Sequence, residues 1–466
     1  MRDLRCPSTP EDRPQTETTD QSSAVKAWEM AHARCLAYDG QVQAVITWVD
    51  GSRRDAEATD ARAAVGKSRG PLDGLLLGLK DNIDTAGVVT TAGAGFLRDN
   101  VPATDATVVQ LLRRQGVVVL AKLNMAELAW GATTQNANYG SCRNPWDLDC
   151  IPGGSSGGSG AAIAAGYCQA ALGTDTGASV RIPAALNGVV GLRPSVGAIS
   201  NRGVFPAAYT QDTVGPMARS ALDAARLTEA LIHLDAADPY SVASDGAPAT
   251  SLIGEPIDGL VVGVGRQFFF DDLDDGVGEI VEDFLAWLGA NVESTRPVGG
   301  FGAADVSEHW TRIVQCEAAS IHRDRLLTSP DDFSADVRGR ISAGLDVRAP
   351  DLARSLDFRV RYRSRLAALF SELDVIVTPV VPIDVPLVGG YDSRKTTAEL
   401  GRITYPWALH DGPTLTLPIG FHPRSGNPIG IALAASRFAE ARLFQIGTAY
   451  QAVTEWHLSR AEIPRR

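Results

Sequence analysis

Apolar residues along this chain form two kinds of pattern, one typical of buried strands and one typical of amphipathic helices. Short continuous apolar runs occur at residues 75–79 and 117–120, and short segments rich in apolar residues occur at 259–264, 373–379 and 414–418. Runs without polar alternation are typical of strands that are buried on both faces of a sheet. Apolar residues at helical spacing occur at residues 25–35, 277–288, 307–327 and 352–369. The chain is therefore predicted to combine buried strands with helices that each present one apolar face.

A helix is predicted between the first two strands. Thr104 or Asp105 is its candidate N-cap, and Gly116 is a candidate stop signal. Strand, helix and strand in this order form a βαβ unit, which favours a parallel sheet covered by helices. A further helix is predicted to begin at Asn124 and to carry Trp130. We predict an α/β fold with a large central twisted mixed or parallel sheet and helices on both faces.

The same patterns predict a tail followed by one large domain. Residues 1–20 are polar, contain prolines and show no apolar period, so we expect them to be disordered. Residues 21–460 contain neither an internal repeat nor a convincing linker, and we predict a single domain there. Within it, residues 21–66 form an N-terminal helical segment and residues 270–370 a mainly helical region.

The most unusual stretch of the chain is rich in glycine and serine. Residues 153–160 read GGSSGGSG and are followed by small apolar residues up to residue 166. A second small-residue turn, residues 176–179, ends in Ser179, 24 residues after Ser155. Glycines beside a serine let the backbone approach a ligand closely, and a loop that enters a helix leaves backbone N–H groups free to bind an anion. The two turns together indicate a site built from hydroxyls and backbone amides.

Three other interpretations of this stretch are open at the level of the residues. A flexible linker is disfavoured, because a compact alanine-rich run follows directly. A phosphate-binding loop would require a Gly-Lys-Ser/Thr ending, which is missing. The sequence also matches the G-x-S-x-G motif of a nucleophile elbow, centred on Ser155 or Ser156. That interpretation would require a catalytic histidine downstream.

Residues 151–194 closely resemble the amidase signature family, and the resemblance covers most of the chain. In that family a Ser–Ser–Lys triad corresponds to Ser155, Ser179 and Lys80, the last in a Leu-Lys-Asp context at the end of a strand. Arg181 also falls where the family motif has it. The chain departs from the family at Ala178, where glycine is usual. Alanine keeps the backbone N–H, so we expect activity to survive this change.

The resemblance implies a mechanism for these residues. A serine hydroxyl needs a base, and lysine acts as one only when burial or like charge lowers its pKa. Ser179 would be the nucleophile, with Ser155 passing its proton to a neutral Lys80. The N–H groups of the turn would form the oxyanion hole, and the Gly154–Ser155 peptide would be cis. The proposed oxyanion-hole residues are Thr176, Gly177, Ala178 and Ser179, and Ser156 and Arg181 would support the triad loops.

Composition limits the partners and the compartment. The formal net charge of −12 disfavours nucleic acid, which requires clustered Lys and Arg. The six cysteines are scattered and the seven histidines show no metal-ligand spacing, so we expect no metal and no other cofactor. No apolar run approaches a membrane span. We therefore expect a cytoplasmic enzyme that binds a small molecule but neither membrane nor nucleic acid, with a homodimer as one assembly open to it.

The sequence says less about the substrate than about the type of reaction. By position relative to the motifs, the candidate pocket residues are Ala129, Trp130, Gly131, Tyr405 and Trp407. Their aromatic rings favour a small hydrophobic or aryl amide or carbamate. The resemblance leaves a second possibility, the glutamine-hydrolysing A subunit of a tRNA-dependent amidotransferase. A Ser-His-Asp esterase of the α/β-hydrolase kind is a third. By resemblance, residues 270–370 are the variable region that walls the pocket.

Overall fold

The computed structural model describes residues 23–299, 301–389 and 392–464. The tail predicted at residues 1–20 lies outside these ranges.

Thirteen strands in the described residues form a large sheet and a small hairpin. Eleven make the large sheet, in the order β1-β3-β2-β6-β8-β7-β12-β13-β11-β9-β10, and β4 pairs with β5. The strands are β1 Val45–Trp48, β2 Leu76–Lys80, β3 Val118–Leu123, β4 Gln135–Asn136, β5 Gly140–Ser141, β6 Ala170–Asp175, β7 Val190–Arg193, β8 Thr213–Ala218, β9 Val261–Gly265, β10 Ser294–Val298, β11 Val375–Pro379, β12 Thr414–Phe421 and β13 Pro428–Ala434.

Thirteen α-helices occur in the same ranges. They are α1 Ala24–Val42, α2 Ser52–Ala64, α3 Thr107–Arg114, α4 Gly157–Ala164, α5 Arg181–Asn187, α6 Ala221–Leu231, α7 Asp275–Asn291, α8 Val306–Thr328, α9 Ala335–Ser342, α10 Ala349–Phe370, α11 Ser393–Gly401, α12 Tyr405–Leu409 and α13 Glu440–Gln451.

The large sheet is mixed and covered on both faces, which confirms the predicted fold class. Strand β2 runs parallel to β3 and β6, whereas β8 runs antiparallel to β6. Successive residues of β2 face opposite layers: Leu77 and Leu79 belong to one apolar cluster and Leu76 to another. Such burial on both faces explains why the strand is continuously apolar up to Lys80.

Two local predictions were wrong. Residues 124–130 do not form a helix; a short 3₁₀ turn, Glu127–Ala129, occurs instead, with positive φ at Leu128 and Ala129. Tertiary hydrogen bonds replace helical ones there, because the Leu128 N–H donates to the Ala92 carbonyl. The N-terminal segment is also not wholly helical, since the edge strand β1 lies between α1 and α2.

Candidate active site

Three chain segments meet at one edge of the sheet and bring the predicted residues together. Lys80 is the last residue of β2, Ser155 precedes α4, and Ser179 precedes α5. Because β2 and β6 are parallel neighbours, their carboxyl ends lie side by side. The small residues of α4 allow close packing at this edge; a Cβ on Gly160 would lie 2.7 Å from Asn187 Nδ2. The glycine-rich stretch is therefore part of a packed helix and not a linker.

Lys80 is fully buried and points at hydroxyl groups. Its Nζ donates to Ser155 Oγ at 2.7 Å, to Thr174 Oγ1 at 2.7 Å and to the Thr174 carbonyl at 3.3 Å. Burial is the main influence on this amine and lowers its pKa to about 7, although Asp212 and Asp175 act in the opposite direction. A buried amine with a pKa near neutral pH has a substantial deprotonated fraction there, which can act as a base.

Asp81, the next residue, faces away from Lys80, as alternation along a strand requires. Its carboxylate lies 3.6 Å from Lys122 Nζ, and both side chains are fully buried. It also accepts hydrogen bonds from the backbone N–H and the hydroxyl of Thr91. Asp81 thus forms its ion pair with Lys122, a second buried lysine, and not with its sequence neighbour Lys80.

The two serine loops are joined through their backbones. The Gly154–Ser155 peptide is cis, as the resemblance implies. The Ser156 N–H donates to the Ser179 carbonyl at 3.1 Å. The Ser156 hydroxyl accepts from the Thr174 N–H and donates to the Thr174 carbonyl. Ser156 thereby fastens the first loop to β6 and to the second loop.

The expected hydrogen bond between the hydroxyls of Ser155 and Ser179 is not formed. Within the described ranges, the Ser155 hydroxyl is bonded to Lys80, and the Ser179 side chain is partly exposed to a cavity. Hydrogen bonds between catalytic groups are often long until substrate binds. The backbone N–H groups of Gly177, Ala178 and Ser179 likewise donate to no acceptor in the described part of the chain, as an oxyanion hole requires.

Arg181 is a buried structural centre beside the turn. It forms a two-pronged ion pair with Asp175, at 3.0 Å through both Nε and Nη2, and donates to the carbonyls of Gly177 and Thr404. Arg193 contacts the other side of the same carboxylate at 3.2 Å. Burial alone would raise the pKa of Asp175, but the two guanidinium groups outweigh it and lower that pKa to about 2. Arg181 thus fixes the turn that carries Ser179.

A cavity of about 190 Å³ opens on Ser179 and the turn before it. Four of the five predicted pocket residues line it, namely Ala129, Trp130, Gly131 and Tyr405. Trp407 does not; it is fully buried, donates from Nε1 to Thr378 Oγ1 at 2.9 Å and stacks on Phe269. The prediction for Trp407 was wrong because successive residues of the short helix α12 point in different directions, and this one faces the core instead of the cavity.

Helices α8, α9 and α11 contribute cavity residues that the sequence analysis missed. Trp310 of α8 stacks on Tyr405 with ring centroids 4.1 Å apart. Arg340 of α9 and Arg394 of α11 also line the cavity. Both guanidinium groups bond one carboxylate, that of Asp336, through their Nε atoms. A helical period marks such residues as belonging to a helix but does not show which of them face a cavity.

Residues 23–299, 301–389 and 392–464 contain no cluster of three or more His, Cys, Asp or Glu side chains that could hold a metal ion. The same ranges contain no helix with the length and apolarity needed to cross a membrane.

Comparison with known proteins identifies the family. The Amidase family model matches residues 27–444. The chain is 35% identical over 471 residues to the A subunit of the glutamyl-tRNA(Gln) amidotransferase of Roseiflexus sp. (strain RS-1), with 95% of each chain covered. It is equally 35% identical, over 438 residues, to the AtzE subunit of the 1-carboxybiuret hydrolase of Pseudomonas sp. (strain ADP), with 92% of this chain and 95% of that protein covered.

Solved structures agree with the sequence relatives. A chain of a vestigial protein complex related to the origins of an s-triazine catabolic enzyme superposes with a TM-score of 0.87 at 34% identity, covering 95% of this chain and 96% of that one. The 6-aminohexanoate cyclic dimer hydrolase superposes with a TM-score of 0.85 at 26% identity, covering 94% and 95%. The chain therefore belongs to the Amidase family, the amidase signature enzymes, and is an amidohydrolase that acts on the C–N bond of amides.

Proposed function

We propose that this amidase cleaves a small amide through an acyl-enzyme on Ser179, with Ser155 passing the nucleophile's proton to Lys80. The observation that carries the proposal is the 2.7 Å hydrogen bond from Lys80 Nζ to Ser155 Oγ inside a fully buried site. A purely structural lysine would gain more from a carboxylate partner, such as the one Lys122 has in Asp81.

The proposed reaction begins when Ser179 Oγ attacks the amide carbonyl. Its proton moves to Ser155 Oγ, whose own proton moves to Lys80 Nζ. The N–H groups of the turn at residues 177–179 stabilise the oxyanion, each donor contributing about 2.7–4 kcal/mol to the transition state. The proton then returns along the same path to the leaving nitrogen, the C–N bond breaks, and a water molecule hydrolyses the acyl-enzyme by the reverse relay.

The cavity supports a small substrate that carries a carboxylate. The cavity volume is about 190 Å³. Arg340 and Arg394 line the cavity, and both bond the carboxylate of Asp336. Guanidinium groups bind carboxylates well, often through two parallel hydrogen bonds. The hydrophobic or aryl amide predicted from the sequence accounts for Trp130 and Tyr405 but not for these two arginines.

The second candidate is glutamine hydrolysis as the A subunit of a tRNA-dependent amidotransferase. Five relatives with 35% identity carry that name, so the comparisons support this alternative better than they support a hydrophobic amide. Glutamine has the carboxylate that the arginines would bind. It also has an ammonium group, and no Asp or Glu is among the described residues that line the cavity. An ammonium group buried without a counter-charge is costly, and on this ground we prefer a carboxylate-bearing amide without an amine.

Three amides of similar length separate these candidates. Glutaramate carries the carboxylate alone, glutamine carries the carboxylate and the ammonium group, and pentanamide carries neither. With the purified protein, we expect kcat/KM for glutaramate to exceed that for each of the others at least about tenfold, which equals about 1.4 kcal/mol. Equal or better turnover of pentanamide would support the hydrophobic amide. Preference for glutamine, especially if it required added partner subunits, would support the amidotransferase.

Replacement of a cavity arginine tests whether the protein binds the carboxylate of the substrate. Arg340→Gln should lower kcat/KM for glutaramate about 10- to 100-fold, the effect of losing a charged hydrogen bond of about 1.5–3 kcal/mol, with pentanamide unaffected. Arg338→Gln is the matched control, because Arg338 lies on the same helix and pairs with the exposed Asp331. An equal loss in both variants, or on both amides, would contradict a carboxylate site at Arg340.

A further inference from the structure

Asp212 lies at the same edge of the sheet as the proposed triad. It directly precedes β8, which runs antiparallel to β6 with Thr213 opposite Asp175. Since β6 is parallel to β2, the start of β8 and the end of β2 face the same side of the molecule. Asp212 and Lys80 are therefore neighbours although 132 positions separate them in the sequence.

The Asp212 carboxylate is buried and holds the turn that precedes Ser179. Its Oδ1 accepts from the hydroxyl of Thr176 at 2.6 Å, and its Oδ2 accepts from the N–H groups of Ala207 and Ala208 at 2.8 and 3.0 Å. Only 6% of the residue is exposed. Burial is the largest influence on this carboxyl and raises its pKa, while the three donors and the charge of Lys80 act in the opposite direction and favour its charged form.

Asp212 is the buried carboxylate near Lys80 that has no cationic partner. Within the described ranges, no carboxylate oxygen lies within 4 Å of Lys80 Nζ, and no ion pair involves Asp212. Asp175 is occupied by Arg181 and Arg193. Other charged groups around these elements are the paired Asp81 and Lys122 on the opposite face of β2, and Glu317 of α8, which bonds the backbone N–H and hydroxyl of Thr210. Arg359 also donates to the Thr210 hydroxyl, and Arg193, although paired with Asp175, interacts electrostatically with Asp212.

We infer that Asp212 is a positioning residue with two roles: it fixes the oxyanion turn through Thr176, and its charge stabilises Lys80 while Lys80 holds the nucleophile's proton. This inference rests on the proposed proton relay. During attack, the Ser179 O–H bond breaks as the new C–O bond forms, and one proton is carried through Ser155 to Lys80. The resulting ammonium group is buried among neutral hydrogen-bond partners, and Asp212, which forms no ion pair among the described residues, supplies a negative charge that acts on it.

The inference predicts the direction of a shift in pH dependence. Burial lowers the pKa of Lys80 to about 7, and Asp212 is the first of the two carboxylates that oppose this lowering. Lys80 acts as a base only when deprotonated, so activity should rise with pH through this pKa. Removal of the Asp212 charge lowers the pKa of Lys80 further. The acidic limb should then move to lower pH, and the plateau rate should fall because a weaker base accepts the proton.

The experiment is the pH profile of kcat/KM for Asp212→Asn. An asparagine can keep all three contacts, because its carbonyl can accept from Ala207 and Ala208 while its NH₂ group donates to Thr176 Oγ1. We expect the acidic limb to move down by about one pH unit, the lower end of the effect of a nearby opposite charge. A limb that stays at the wild-type pH, or that moves up, would overturn the inference.

Two controls separate charge from structure. Thr176→Ser keeps the hydroxyl that donates to the carboxylate and therefore keeps its charge, so the limb should stay unmoved. Asp235→Asn neutralises another buried carboxylate, one that bonds Thr107, Ser200 and Arg202, and should leave the limb in place. A limb that moved equally in either control would show a general effect of destabilisation and count against Asp212.

A second neutral variant and the lysine variant complete the test. If Asp212→Asn does not fold, Asp212→Ser provides the same neutralisation with a hydroxyl that can still accept a backbone N–H, and the same shift is required of it. Lys80→Ala should abolish the acidic limb together with most of the rate. A Lys80→Ala enzyme with wild-type rate would contradict the proposed relay itself. An inactive Lys80→Ala enzyme together with an unmoved limb in the Asp212 variant would refute only the role of Asp212.

Discussion

Two lysines are fully buried in adjacent strands, and their neighbours give them different chemistry. Burial is the largest influence on both and lowers the pKa of Lys80 to about 7 and that of Lys122 to about 8. Lys122 lies 3.6 Å from the Asp81 carboxylate and donates to Thr90 Oγ1 at 2.7 Å, contacts suited to a permanent charge. Lys80 contacts two hydroxyls and a carbonyl, and one of these hydroxyls is that of Ser155, the proposed proton carrier between Ser179 and Lys80. Burial alone therefore does not identify a catalytic lysine, whereas the partners do.

The nucleophile is tested at the residue scale. Ser179→Ala should lower turnover at least about a thousandfold and abolish covalent labelling by serine-directed inhibitors, while the fold remains intact. The reason is that Ser179 lines the cavity next to N–H groups that have no acceptor among the described residues. Peptide mapping by mass spectrometry would locate the label in the wild type. A label on Ser155 or Ser156 would contradict the assignment and favour the nucleophile elbow.

At the scale of elements, the site depends on the packing of β6, β7 and α5 around one carboxylate. Asp175 ends β6, Arg181 begins α5 and Arg193 ends β7, so three elements are joined by a single ionic cluster. All three side chains are fully buried. Removal of one partner from such a cluster leaves buried charges uncompensated, which costs far more than the loss of an exposed pair.

Asp175→Asn should therefore lower the free energy of unfolding by about 3–5 kcal/mol, because Arg181 and Arg193 would be left as buried cations. Chemical denaturation at neutral pH measures this difference. Asp357→Asn is the control; its partner Arg361 on α10 is 73% exposed, and we expect a change of at most about 0.5 kcal/mol. Equal effects of the two substitutions would show that the buried cluster contributes little to stability.

At the scale of the whole molecule, the histidines are distributed away from the cavity. No histidine is among the residues that line it in the described part of the chain. His410 bonds the Ala435 carbonyl at 2.9 Å, and burial lowers its pKa to about 4. His322 stacks on Phe205, and burial likewise lowers its pKa to about 4. Both imidazoles are neutral parts of the core at neutral pH.

Each of His309, His322, His410 and His457 should be individually dispensable for the chemistry. Because none lies at the cavity, each His→Ala variant that folds should still acylate Ser179, with circular dichroism as the control for folding. The measurement is active-site titration with a serine-directed inhibitor. Loss of acylation in a folded variant would revive the Ser-His-Asp alternative.

The sequence by itself determined the layout of the fold and the identity of the proposed triad. The continuous apolar runs placed β2 within one residue, and the helical periods placed α7, α8 and α10 within three residues at each end, because burial and periodicity are properties of short segments. The glycine-serine stretch indicated a site of hydroxyls and backbone amides, and its resemblance to the amidase signature family implied the roles of Ser155, Ser179 and Lys80.

Only the tertiary structure decided which side chains share a space. The turn at residues 127–129 replaces the predicted helix, because it is held by Ala92 and Ser334, partners that lie far along the chain. Trp407 lies in the core, whereas Trp310, Arg340 and Arg394 line the cavity; the position of a residue within a helix does not say what packs against it. Asp212 lies near the triad because of the order of the strands in the sheet. That order depends on long-range strand pairing, which no local sequence pattern contains.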